Sequence, residues 1–183
     1  MSEDLEKNLN EIKRLPGLKK VKEEVENLLA FLQNSKDRKE QGLGDAMPLT
    51  YHLIFSGNPG TGKTTVARIL TNIYRDLGII AGGKLIEVTR SDLVVAEKGK
   101  TAERAAEKFN QAIDNVLFID EAYTLSNKKD PNDNGQEAID ELLKFMEDYR
   151  DRLIVIVAGY ETNMKEFISS NAGLASRFKR NIV

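Results

Sequence analysis

The sequence contains no cysteine, which excludes disulfides, Cys-ligated zinc and thiol catalysis. It has a single histidine, His52, which reads as a packing or surface residue rather than a metal ligand. Neither sign of charge dominates. Lys and Arg number 27 against 29 Asp and Glu, for a net charge of −2, so nothing suggests bulk affinity for nucleic acid or for a membrane surface. No stretch approaches the ~18 apolar residues that a membrane-spanning helix needs. The start, Met1-Ser2-Glu3-Asp4, is acidic and lacks the basic-then-apolar order of a signal peptide. Internal repeats and low-complexity tracts are also missing. These absences set the expectation of a cytoplasmic protein with neither nucleic-acid nor membrane partners. At 183 residues the chain is long enough to bury one proper core.

Against that plain background one segment stands out. Gly57-Asn58-Pro59-Gly60-Thr61-Gly62-Lys63-Thr64 is a full G-x-x-x-x-G-K-S/T match. Average residue usage produces such a match by accident in on the order of one chain in a hundred of this length. The flanks remove the accident. Tyr51 to Ser56 reads as a short buried strand, and Thr65 to Leu77 has helical spacing, with Val66, Ile69, Leu70 and Ile73 on one face. Strand, glycine loop and helix make a phosphate site: glycines let backbone N–H groups curl around a polyphosphate, and the helix start adds partial positive charge. Gly57, Asn58, Pro59, Gly60, Thr61, Gly62, Lys63, Thr64 and Thr65 are the candidate nucleotide-binding residues. Lys63 is placed to reach the β- and γ-phosphates, and the Thr64 hydroxyl to sit on Mg²⁺.

The second half of such a site follows later. Asn115-Val116-Leu117-Phe118-Ile119 is a continuous apolar run of the kind found in central parallel strands, and it ends in Asp120-Glu121. Asp120 is the candidate Mg²⁺ ligand together with Thr64, and Glu121 is the candidate to polarise the water that attacks the γ-phosphate.

The rest of the chain alternates helices with apolar strands. Ser2 to Leu15 is a polar helical lead-in, ended by Pro16-Gly17. Lys19 to Lys39 predicts a long amphipathic helix, and Lys84 to Thr89 alternates like a strand. Thr101 to Ile113 predicts a helix. Asn134 and Glu137 predict a capping box opening another, to about Tyr149. Leu153 to Ala158 is a further buried strand, followed by a helix through Met164, Phe167 and Ile168. Arg180 to Val183 begins a last strand. This alternation implies an α/β fold with a parallel sheet between helices and the ligand at the strand C-termini. Asn127-Lys128-Lys129-Asp130 matches the guanine-reading N-K-x-D pattern, but it falls in a polar loop and no D-x-x-G follows the buried strand. It is read as coincidence, and the base as adenine.

Several phrases together resemble the CbxX/CfqX branch of the AAA+ ATPases, which includes red-type rubisco activase and a stage V sporulation protein of the K type. They are Pro16-Gly17-Leu18-Lys19-Lys20-Val21, the loop from Phe55 to Arg68, Val116 to Tyr123, Gly135-Gln136-Glu137-Ala138-Ile139, Val157-Ala158-Gly159-Tyr160 and Ser170 to Phe178. The resemblance implies a P-loop NTPase of AAA+ type with a five-stranded parallel sheet in the order 5-1-4-3-2. It implies a helical lead-in over 1–15 and a large nucleotide-binding subdomain over 16–183. It further implies ATP and Mg²⁺ as cofactors, a hexameric ring, and a protein substrate that is remodelled. Leu15, Gly17 and Leu18 are implied to lie against adenine. Arg177, in Ser176-Arg177-Phe178, matches the arginine finger that reaches a neighbouring subunit's γ-phosphate; an Arg covering a helix end is the plainer alternative, and Arg180 the fallback. The residues in catalytic roles are then Lys63, Glu121 and Arg177.

The sequence departs from the branch in its pore loop. Where the family has L-V-x-x-Y-I/V-G-x-T-A, this chain has Leu93-Val94-Val95-Ala96-Glu97-Lys98-Gly99-Lys100-Thr101-Ala102. An aromatic grips peptide through area and stacking, whereas Glu97 and Lys98 cannot. The sensor position after the strand Leu153 to Ala158 reads Gly159-Tyr160-Glu161, which assigns the sensing role to no one group. The helical lid of such ATPases would begin where the chain stops, so an excised subdomain or fragment, with weakened nucleotide affinity and turnover, is the expectation. Two functions stay open: an ATP hydrolase that remodels a protein partner in a ring, and a nucleotide-gated interaction module that binds ATP or ADP without threading or appreciable turnover.

Overall fold

A computed structural model describes residues 3–15, 19–42, 50–126 and 133–182. The elements in chain order are α1 (Glu3–Arg14), α2 (Lys19–Glu40), β1 (Leu53–Ser56), α3 (Lys63–Asp76), β2 (Leu85–Val88), α4 (Arg90–Leu93) and α5 (Thr101–Gln111). They continue with β3 (Val116–Ile119), a 3₁₀ turn (Ala122–Leu125), α6 (Gly135–Asp148), β4 (Ile154–Gly159), α7 (Glu161–Ser169), α8 (Ala172–Arg177) and β5 (Asn181–Ile182). The five strands form one sheet in the order β2-β3-β4-β1-β5, and all four pairings are parallel. This is the order expected from the resemblance, counted from the opposite edge.

Residue alternation within the strands explains why they read as unbroken apolar runs. Leu117, Ile119, Val155 and Val157 face one core, shared with Ala105, Phe109, Leu142 and Phe167 from α5, α6 and α7. Val116, Phe118, Ile154, Ile156 and Ala158 face a second core, shared with Leu9 and Ile12 of α1, Val21 and Leu28 of α2, and Ile69 and Ile73 of α3. A strand covered on both faces has no position left for a polar side chain. The lead-in helix α1 packs in the second core, and the Asn8 amide reinforces it by donating to Asp76 at the end of α3, 2.9 Å away. Among the described residues no helix is long and apolar enough to cross a membrane.

The local predictions need two corrections. Asn134 and Glu137 do not cap α6. The Asn134 side chain accepts no hydrogen bond from the helix and instead donates its amide to the carbonyls of Val95 and Ala96, at 2.8 and 3.1 Å. A capping box does form at Thr89 and Asp92, opening the short α4. There the Asp92 carboxylate accepts from the Thr89 N–H and hydroxyl at 2.8 and 2.9 Å, and these bonds hold it below the usual carboxylate range.

His52 is a packing residue, as the sequence suggested. It is buried, with its ring against Phe178, and its Nδ1 accepts the Val155 N–H at 3.0 Å. That bond requires an unprotonated Nδ1. Burial, with the nearby Arg177 charge as a lesser cause, pushes the His52 pKa down from 6.5 to about 4. Between those two values the unfolded chain holds a proton that the folded chain rejects, so stability is full above pH 6.5 and falls as pH drops toward 4. We expect His52 to remove about 2 kcal/mol of folding stability between pH 7 and pH 5. Urea unfolding at both pH values, with His52→Gln alongside, checks this: the variant should lose less over the same interval, and parallel losses would contradict the assignment.

Candidate nucleotide-binding and hydrolytic site

Parallel pairing brings three strand ends to one edge. Ser56 at the end of β1 is paired with Gly159 of β4, and Val157 of β4 with Ile119 of β3. The Gly57 N–H then continues the ladder by donating to the Gly159 carbonyl at 3.0 Å. Residues following these strands line one open cleft of about 330 Å³.

One wall is the glycine loop. Gly60 and Gly62 have φ of 74° and 83°, a left-handed backbone that glycine adopts without strain. Gly62 is the residue on which α3 starts, no side chain caps this helix, and its first turn carries no acid. The leading N–H groups of a helix have no partner inside it, so here they are left for an anion. The Lys63 ammonium donates to the Gly57 and Asn58 carbonyls at 3.0 and 2.8 Å, and the Thr61 hydroxyl to the Asn58 carbonyl at 2.9 Å. These bonds wrap the loop around its own lysine. Gly57, Pro59, Gly60, Gly62, Lys63, Thr64 and Thr65 line the cleft, whereas Asn58 and Thr61, also candidates from the sequence, do not.

The opposite wall carries the acids. Asp120 directly follows β3, its N–H held by the Val88 carbonyl at 3.0 Å. Its Oδ1 accepts the Glu121 N–H at 3.0 Å. Glu121 has φ 48° and ψ 44°, a left-handed conformation that costs a non-glycine residue on the order of 1–3 kcal/mol. The Thr124 N–H and hydroxyl both donate to the Glu121 carbonyl, at 2.9 and 2.7 Å, and clamp it there. Asp120 and Glu121 line the same cleft as Lys63 and Thr64. Among the described residues no three acidic or histidine side chains gather into a self-sufficient metal cluster. The set suits Mg²⁺, which is held through one or two carboxylates together with substrate phosphates.

Between the two walls the end of β4 adds Gly159 and Tyr160. A side chain at Gly159 would run into the Tyr123 ring and the Met164 sulfur, so glycine is required for β4 to end there. Tyr160 is 39% exposed, the only large apolar side chain that is so open among the described residues. Its ring lies 6.2 Å from that of Tyr123. Burial, then the Glu121 charge, raises the Tyr123 hydroxyl pKa. The sequence points to Gly159 and Tyr160 only through position, because tyrosine after a buried strand carries no chemical signature of its own.

Behind the loop lies a separate apolar hollow of about 250 Å³, lined chiefly by Val21, Phe55, Val66 and Ile182. Leu15 packs partly buried against the same core. Gly17, Leu18 and the Asn127 to Asp130 tetrad lie outside the described residues. Arg177 does not line the cleft of its own chain. It closes α8, donating to the Glu147 carboxylate at 3.2 Å and the Gly173 carbonyl at 3.3 Å. Arg180 is engaged elsewhere, with Glu24 at 2.5 Å and the Thr50 carbonyl at 3.2 Å. Ala96, Glu97 and Lys98 are exposed on the loop between α4 and α5, while Val95 is half-buried. That loop adjoins a second hollow, of about 380 Å³, which shares Asp120 and Glu121 with the cleft.

The sequence is similar to those of several known proteins. The chain is similar to the ESX-1 secretion system protein EccA1 of Mycobacterium tuberculosis, with 44% identity over 174 residues, covering 94% of this chain and 30% of that protein. It is similar to the ESX-3 secretion system protein EccA3 of the same organism, at 45% identity over 91% of this chain and 26% of that one. Protein CfxQ of Xanthobacter flavus is 46% identical over 92% of this chain and 53% of its own length. The chain thus spans between about a quarter and a half of these relatives. The profile described as "ATPase family associated with various cellular activities (AAA)" matches residues 53–183. With most of its length inside that profile, and with the glycine loop and the acidic strand end facing each other across one cleft, the chain belongs to the AAA family of ATPases.

Proposed function

We propose that this chain is the large nucleotide-binding subdomain of a Mg²⁺-ATP hydrolase of the CbxX/CfqX kind, whose cycle remodels a protein partner within a hexameric ring. The observation that carries the reading is the cleft itself: an uncapped, acid-free helix start with Lys63 and Thr64 on one side, and Asp120 and Glu121 on the other. The N–H groups of the loop and Lys63 bind the β- and γ-phosphates. Thr64 and Asp120 hold Mg²⁺, which offsets phosphate charge when bound. Adenine enters the apolar hollow behind the loop, against Val21 and Val66; the family resemblance assigns Leu15, Gly17 and Leu18 to the same base.

Glu121 orients the attacking water as a hydrogen-bond acceptor. The water oxygen forms a bond to the γ-phosphorus as the bond to the bridging oxygen breaks. ADP leaves with that oxygen, and the water's proton passes to Glu121 and then to solvent or phosphate. Thr124 clamps the Glu121 backbone, and Glu121 lines the cleft. Arg177 does not line its own cleft, and its fixed positive fork suits a neighbouring subunit's γ-phosphate. Hydrolysis then depends on assembly, with Arg177 exchanging Glu147 for the neighbour.

The exposed, charged tip Glu97-Lys98 favours a second reading, a nucleotide-gated interaction module that does not pull peptide through a pore. Phosphate release per subunit, measured against protein concentration with Mg²⁺, separates the two. The hydrolase reading predicts activity that rises with concentration and falls by at least about a hundredfold in Arg177→Ala. Glu121→Gln should keep ATP bound and abolish release. Undiminished phosphate release from Glu121→Gln would overturn the assigned role, and stoichiometric ATP binding with flat, negligible release would favour the module.

A further inference from the structure

The apolar hollow behind the glycine loop takes its lining from elements far apart in sequence. Val21 comes from the first turn of α2 and Ile182 from β5, while Phe55 of β1 and Val66 of α3 complete the apolar part. Of these elements β5 is the least able to hold its own place. It is an edge strand of two residues, paired only with β1, and so short a strand makes few ladder bonds.

Polar side chains supply what the ladder lacks. Arg180, directly before β5, pairs through Nη2 with Glu24 Oε1 at 2.5 Å and donates from Nη1 to the Thr50 carbonyl at 3.2 Å. Glu24 follows Val21 by three positions on α2, which puts the two on one side of that helix. The Ser56 hydroxyl donates to Asn181 Oδ1 at 2.7 Å, and Ser56 also lines the hollow. Three successive residues therefore act on one wall. Arg180 ties β5 to α2, Asn181 ties it to the end of β1, and Ile182 lines the hollow.

The Glu24–Arg180 pair is set into the protein rather than spread over it, with side chains 14% and 24% exposed. Burial raises the Glu24 carboxyl pKa, against the opposing pull of Arg180. Both charges also act on the Tyr74 hydroxyl of α3, which is fully buried. A carboxylate so placed needs its cation, since removing one partner leaves the other charge buried and unpaired. Glu24, Arg180 and Asn181 do not line the phosphate cleft, and the binding and hydrolytic roles above do not use them.

We infer that Glu24, Arg180 and Asn181 are positioning residues for the nucleotide base, holding Val21 and Ile182 at the spacing that admits a flat purine ring. This role deepens the nucleotide-site reading above and rests on its placement of the base. It employs Arg180 within its own chain rather than toward a neighbour. A brace for the whole fold would weaken every ligand alike. A brace for the hollow weakens only ligands that carry a base, because the glycine loop and Lys63 hold phosphates without it.

Calorimetric titration with Mg²⁺-ATP and with Mg²⁺-tripolyphosphate, which has the phosphates without adenosine, separates the two. The parent chain should bind ATP the more tightly. Glu24→Gln and Arg180→Gln should each weaken ATP binding on the order of tenfold and leave tripolyphosphate within about twofold. The double variant should lose no more than either single, because each already breaks the pair. Arg180→Lys, which keeps a charge for Glu24, should lose less than Arg180→Gln. Asn181 is exposed, so Asn181→Ala strands no buried charge; it should also lower the ratio of ATP to tripolyphosphate affinity, and it decides if the charge variants do not fold. Parent-like ATP affinity in the folded variants, or equal losses for the two ligands, overturns the inference. A parent that binds both ligands equally would overturn the placement of the base, and one that binds neither would overturn the phosphate site itself.

Discussion

Everything at the functional edge depends on β4 pairing in parallel with β1 on one side and β3 on the other. The registers Ser56 to Gly159 and Ile119 to Val157 put three strand ends level. The residues following each strand (Gly57, Asp120 and Tyr160) then emerge into one space. The Gly57 to Gly159 hydrogen bond extends that pairing one step into the glycine loop. Neither half of the site has a function by itself. A phosphate cradle without an acidic strand end binds anions unspecifically, and an acidic strand end without the cradle is a surface pair.

The same pairing explains the composition of the core. Because helices cover both faces of the central strands β3 and β4, their interiors admit only apolar side chains, and polar chemistry is pushed to the strand ends. The exceptions prove informative. His52 is accommodated as a neutral ring that accepts the Val155 N–H. Glu121 is kept in a left-handed backbone by two bonds from Thr124, which is conformational energy concentrated at the residue proposed to act on water. Gly159 leaves room for the Tyr123 ring, and Tyr160 is the aromatic that lines the cleft among the described residues.

How much of this was legible in the sequence follows from how local each signal is. The phosphate loop, its helix and the acidic strand end declare themselves within a few residues, and the sheet order came with the family phrases. Helices of four and six residues, α4 and α8, complete too few turns to show a period, so neither was anticipated. The spacing of Asn134 and Glu137 has the form of a capping box. It failed because the carbonyls of Val95 and Ala96, distant in sequence, have no ladder to join and claim the Asn134 amide. The partners of Arg177 and Arg180 are likewise long-range, and no spacing rule reaches them. Family resemblance proposed Arg177 for the trans role, whereas only the structure shows it outside the lining of its own cleft and paired with Glu147.

The most direct measurement is a calorimetric titration of Mg²⁺-ATP into the parent chain and into Lys63→Ala. The account predicts one site per chain in the parent, and affinity weakened by at least about a hundredfold once the only cation inside the loop is removed. Equal ATP affinity in the two proteins would contradict it, because the phosphates would then lie somewhere other than the cradle between Gly57 and Thr64.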